Sequence, residues 1–140
     1  MQTFTITAAD LDADGFYIGQ TDVTNFDGHI EIAADLGWVR FKATIRATGR
    51  IRSLAGSGIE AGWGIKAGWG IEAGEGIEAG EGIKAGLSVV AKFVSARLRI
   101  FVGLCMWRLP TEAEMQVRAE VRKGTVSHGV VVAPIADAAE

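Results

Sequence analysis

Three carboxylates at alternate positions, Asp10, Asp12 and Asp14 in "DLDADG", form the most suggestive chemical motif in the chain. Carboxylates so spaced can converge on one hard cation, and the stretch matches the start of a calcium loop. The twelfth position of such a loop normally supplies a bidentate Glu, and here it is Thr21. Two readings follow: a weak calcium site, or an acidic turn ended by Gly15. Nucleophilic chemistry has little to draw on. Cys105 is the one cysteine, and His29 and His128 are the two histidines. A Cys105–His128 pair has no spacing argument behind it, and "VGLCMW" makes Cys105 a core residue. No G-x-S-x-G, Walker loop or histidine pair at metal spacing occurs. A single cysteine also excludes an internal disulfide and any multi-cysteine metal site. The expectation is a protein that binds rather than catalyses, with no catalytic residues and no cofactor beyond the calcium candidate.

Binding chemistry is better represented. From Gly58 to Gly86 the chain reads "GIEAGWGIKAGWGIEAGEGIEAGEGIKAG", five near-copies of G-I-[EK]-A-G-x. The variable slot holds Trp63, Trp69, Glu75 and Glu81. Aromatics on a rigid scaffold anchor interfaces, and acids beside them steer a basic partner. Alternatively, the tryptophans pack beneath a C-terminal helix or on an adjacent coil. A second candidate is the basic run Arg40, Lys42, Arg46, Arg50 and Arg52, which contains no acid. It is either a phosphate-contacting surface or a solvated outer face. The first 39 residues hold seven acids and no Lys or Arg, so they could mimic a phosphate backbone toward a DNA-binding protein.

The elements that must position these residues follow from the period of six. In a helix six residues advance about 600°, so successive isoleucines at 59, 65, 71, 77 and 83 form no apolar stripe. In a strand, Ile and Ala two apart share the inward face, and Glu or Lys between them meets water. A straight strand would bury Glu75 and Glu81, which share parity with Ile. The chain therefore turns at each G-x-G, with glycine supplying the positive φ such corners often need. Stacked units of strand and corner make a single-stranded β-solenoid. Two units per coil would pair Lys66 with Glu78 and Glu72 with Lys84. Three would stack Glu60 on Glu78 and Lys66 on Lys84, and three is the commoner geometry for hexads.

Alternating segments extend the solenoid to both sides of the repeat. Upstream, Ile30, Ile32, Val39, Phe41, Ala43, Ile45 and Ala47 alternate with polar residues. Downstream, "SVVAKFVSARLRIFVGL" is rich in β-branched residues. After Pro110, "TEAEMQVRAEVRKG" reads as a short helix packed on or near the last coil. Thr111 and Glu114 would form its capping box and Gly124 its stop. The expected organisation is an acidic N-terminal segment or cap (1–27), a solenoid (28–109) with hexads at 58–86, and a helix with tail (110–140). A capped end cannot add coils, which points to a homodimer or other closed oligomer.

The net charge is −3 over 140 residues, nearly half of them hydrophobic, as befits one compact domain. The N-terminus has no basic start and apolar core of a signal peptide. The most apolar stretch is broken by Lys92, Arg97 and Arg99, so no membrane span is expected. A reducing cytoplasm is the expected setting.

The hexads, preceded by "FDGHIEIAADLGWVRF" and followed by "LRIFVGLCMWRLP", resemble small β-solenoid proteins encoded by phages and prophages, over about residues 25–125. The resemblance attaches no activity to any residue. It implies a host-protein partner, possibly a nucleic-acid-binding complex, and an inhibitor of a host defence system (anti-CRISPR-like). More loosely, the repeat is similar to the polymer-forming bactofilins, which implies the alternative of a self-assembling structural protein. Hexapeptide acyltransferases provide a contrast. Their fifth position is small, whereas here, counting from Ile, it is Trp or Glu.

Overall fold

The computed structural model of the chain describes residues 1–134. The end of the segment expected to be a tail, from residue 135 onward, lies outside the described residues. The protein is mainly β, 51% strand and 4% helical, with parallel strands in a curled, β-solenoid-like sheet. In chain order the strands are β1 (Thr3–Ile6), β2 (His29–Ile32), β3 (Gly37–Phe41), β4 (Ile45–Ala47), β5 (Ile51–Ser53), β6 (Ser57–Ala61) and β7 (Ile65–Ala67). They continue with β8 (Ile71–Glu72), β9 (Gly76–Ala79), β10 (Ile83–Ala85), β11 (Val89–Phe101), β12 (Gln116–His128) and β13 (Val130–Val132).

Register shows the length of a turn. Ile59 pairs with Ile77, Ile65 with Ile83 and Ile71 with Val89, each eighteen residues on. Three hexads therefore make one turn, and Glu60 lies beside Glu78 and Lys66 beside Lys84. The strands stack in three columns. The first holds β1, β2, β5 and β8, then the starts of β11 and β12, and β13. The second holds β3, β6 and β9, then the middles of β11 and β12. The third holds β4, β7 and β10, then the ends of β11 and β12. Earlier turns are longer: Ile45 pairs with Ile65 and Ile30 with Ile51.

The core is the set of inward residues the alternation marks. Ile30, Ile45, Ile51, Ile59, Ile65, Ile71, Ile77, Ile83 and Val89 are all fully buried. Each such side chain contributes about 1.5–3 kcal/mol of transfer free energy. At the first turn, where Ile6, Val23 and Val39 are buried, aromatic rings pack against this core. Phe4 lies 6.2 Å from Tyr17 and 5.9 Å from Phe26, and Tyr17 lies 5.9 Å from Phe41.

Two expectations are corrected. The corner glycines of the repeat do not adopt positive φ; such glycines fall at 15, 28, 37, 56, 103, 124 and 129. They are glycine because each corner stacks on the one before. A Cβ on Gly80 would meet the carbonyl oxygen of Gly62, and a Cβ on Gly86 that of Gly68. The C-terminal helix is also absent. Thr111 and Glu114 do cap each other, with Thr111 N–H donating to the Glu114 carboxylate at 2.9 Å and Glu114 N–H to Thr111 Oγ1 at 3.3 Å. That box opens a single 3-10 turn, Ala113–Met115, and the chain then extends as β12. Val117 and Ala119 alternate inward and are buried, which is the strand period. Gly124 sits within that strand at φ 110°. The sheet's C-terminal end is therefore a strand edge. Among the described residues β13 covers only Gln116–Arg118 of it.

Candidate functional site

The three-column winding separates residues that are close in sequence. Of the basic run, Arg40 lies on the second column and pairs with Glu60 at 2.8 Å. Arg52 lies on the first and pairs with Glu72 at 3.5 Å. Lys42 sits beyond β3, its ammonium 5.7 Å from the Phe16 ring centre. Arg50 precedes β5, and its backbone N–H donates to His29 Nδ1 at 2.9 Å. Arg46 lies on the third column. The expected basic face is thus dispersed, because a step of six residues changes column.

The third column gathers a different set of cations. Arg46 pairs in register with Lys66, and Lys66 with Lys84. All three side chains are exposed, and none makes an ion pair with a described carboxylate. Adjacent strands lie about 4.8 Å apart, and like charges directly opposite are destabilising. A groove of about 500 Å³ runs beside the three cations, bounded by Met106, Trp107 and Cys105. A second hollow of about 380 Å³ lies across Lys66 and Lys84, bounded by Leu98, Arg99 and Glu81.

The repeat's variable slot marks the corners, as expected, but distributes them. Trp63 and Glu81 share the corner between second and third columns, where Glu81 N–H donates to the Trp63 carbonyl at 2.8 Å. Leu98 follows on the same corner. Trp63 is 59% exposed. Glu75 lies on another corner and is paired with Lys92 at 3.1 Å. Trp69 lies on the third corner, half-buried, with His29 edge-on at 4.9 Å and Trp107 at 6.3 Å. Trp63 is therefore the exposed member and Trp69 the one packed against other rings. The third column is bordered by indoles on both edges.

Sequence reasoning missed the loop between β11 and β12. There Met106 is 95%, Trp107 58% and Leu109 92% exposed. Arg108 braces it, donating twice to the Glu114 carboxylate at 2.7 Å and lying 4.6 Å from the Trp107 ring centre. The Arg108 hydrogen bonds hold the Glu114 carboxyl at about 2, with the Thr111 backbone N–H adding to the effect. The available signal was a broken period. Ile83 meets Ile100 after seventeen residues, but Ile100 meets Val126 after twenty-six.

The remaining chemical candidates are used structurally. Asp12 accepts from the backbone N–H groups of Asp14 and Phe16, both at 2.9 Å, and Asp10 accepts from that of Thr7. These carboxylates cap turns rather than converge. Among the described residues no group of three or more His, Cys, Asp or Glu is placed to hold a metal ion. Cys105 is half-buried on the loop, not in the core, and its thiol donates to the Arg108 carbonyl at 3.1 Å. His128 Nδ1 meets the Val102 carbonyl instead. His29 is held below its ordinary pKa by burial first and by Arg50 second. Among the described residues no helix is long and apolar enough to cross a membrane. No family model, curated protein or solved structure matches the chain.

Proposed function

We propose that the chain is a non-catalytic β-solenoid that works by binding another macromolecule through its third column and the edges beside it. One observation carries this reading: among the described residues the third column alone stacks cations without acids, and it is also the column flanked by exposed Trp63 and Trp107. An unrelieved like-charge ladder costs stability, and an anionic partner offsets that cost. The partner is therefore acidic, and not the basic groove that a Trp–Glu series suggests. The narrower reading, an inhibitor of a host defence component, rests on the phage resemblance alone. Capture from bacterial lysate tests the proposal. Wild-type protein and Arg52→Gln, altered on the first column, should retain the same captured species. A Lys66→Glu/Lys84→Glu variant should lose them. Equal capture by all three contradicts the proposal.

A second reading, assembly of copies end to end, is favoured by the strand edge where a capping helix was expected. Glu120–His128 of β12 has no paired strand beyond it among the described residues, and Val130 and Val131 are exposed. Glu120, Arg122 and Lys123 place charges along that edge, a known guard against edge pairing. Sedimentation at rising concentration separates the two. A closed dimer or monomer keeps the first reading, and unlimited growth replaces it.

A further inference from the structure

Resting on the third column as the binding face, we infer that its anionic ligand is single-stranded nucleic acid, with phosphates on the Arg46–Lys66–Lys84 ladder and bases against Trp107. Four observations converge. The ladder is a line of positive charge at strand spacing, suited to an anion that repeats along a line. The same outward positions of the other columns carry Arg40–Glu60 and Arg52–Glu72 pairs, so the fold accepts acids there. Among the described residues the groove along the ladder has no acid in its lining. Asp27, beside it, accepts a hydrogen bond from Thr48 Oγ1 at 2.9 Å. Finally, Trp107 is more than half exposed at the groove's wall, with Trp69 tilted against it at 6.3 Å and the Arg108 guanidinium 4.6 Å from its ring centre.

A positive groove joined to an aromatic platform is the pairing that single strands use, because every base has a face to stack. An acidic protein segment would be served by the cations and could also anchor on the indole, so direct binding of an oligonucleotide is what separates the two. A duplex hides its base faces and could engage the ladder alone. The ladder ends at Lys84, whose next partner in register is Phe101, and the neighbouring hollow holds both Arg99 and Glu81.

The test is fluorescence anisotropy with a labelled oligodeoxythymidylate of about 15 nucleotides, near the upper site size for such grooves. Binding should weaken with salt at a log–log slope of about −2, three phosphates at about 0.7 each. Lys66→Gln should reduce that slope by about 0.7. Trp107→Ala should weaken binding at least about fivefold with little change in slope. Arg52→Gln, the same charge change on the first column, should leave both unchanged. All three positions are partly or fully exposed, and circular dichroism checks that each variant folds. No binding at low salt overturns the inference. So does equal weakening by Arg52→Gln, or a duplex bound as tightly as the single strand. If the oligonucleotide fails while ladder-dependent capture from nuclease-treated lysate persists, this inference falls and the binding-face proposal stands. If capture fails as well, both fall.

Discussion

The first and third columns are built from the same hexads and differ in what they do with charge. On the first, Arg52 meets Glu72; on the third, Arg46, Lys66 and Lys84 meet one another. Inward, the two are alike: Ile51 and Ile71 on one, Ile45, Ile65 and Ile83 on the other, all fully buried. The repeat thus separates two tasks. Inward residues and corners specify the winding, and the single outward residue of each strand is left to set the surface. Where that surface is arranged against stability, binding is the economical explanation.

The largest effect tests whether the columns are equal inside. Ile71→Asp and Ile65→Asp should each abolish the folded state, since each buries an unpaired charge in a narrow core. Ile71→Ala and Ile65→Ala should each cost about 2–5 kcal/mol. Chemical denaturation measures both, and a marked inequality breaks the comparison at its base.

Next come the corners. Gly86→Ala should destabilise by about 1–3 kcal/mol, because the new methyl meets the Gly68 carbonyl. Gly37, where a Cβ would meet nothing within 4 Å, has φ 69° instead. Gly37→Asn should therefore be mild where Gly86→Asn is severe, since Asn tolerates the left-handed region. Thermal melts that rank the two the other way contradict the stacking account.

Charge swaps sharpen the contrast directly. Lys66→Glu, placed between Arg46 and Lys84, should raise stability by about 0.2–1 kcal/mol. Glu72→Lys, opposite Arg52, should lower it by a similar amount. Equal signs in paired denaturation curves would mean that the two columns do not differ electrostatically.

The smallest effect belongs to the corner where the two columns meet. His29 has its pKa lowered from 6.5 by burial and by Arg50, and its Nδ1 accepts the Arg50 N–H. The neutral ring is the form the fold favours. Its contribution is full above 6.5 and is lost as pH falls through the lower folded value. His29→Gln should flatten stability against pH in that window. An unchanged slope would show that the ring titrates alike folded and unfolded.

Much of this was legible in the sequence. Strict recurrence of Ile and Ala dictated strands, and Glu75 and Glu81 at Ile parity required corners. The dispersal of the basic run was legible too, since Arg40, Arg46 and Arg52 are six apart, one column each. The reason for the corner glycines was not legible, because it depends on the carbonyl one turn earlier. The helix expected after Pro110 failed for a different reason. Its residues are good helix formers and its capping box is real, but Val117 and Arg118 found parallel partners in β11, and Val117 and Ala119 are buried. Strand pairing and burial outweighed local propensity. The Met106–Leu109 loop was missed because the expected solenoid, 28–109, ran through it.

The eighteen-residue turn sets Lys66 beside Lys84 at the centre of the cation ladder, and cysteine pairs measure it directly. In a Cys105→Ser background, Lys66→Cys with Lys84→Cys places thiols on adjacent in-register strands. That geometry suits a disulfide, whose Cα atoms lie about 4.4–6.8 Å apart. Glu72→Cys with Lys84→Cys would be adjacent only in a twelve-residue turn. Mild oxidation followed by non-reducing electrophoresis and peptide mapping should give the 66–84 link readily and no 72–84 link. A 72–84 link formed in preference to 66–84 would contradict the register, and with it the cation ladder.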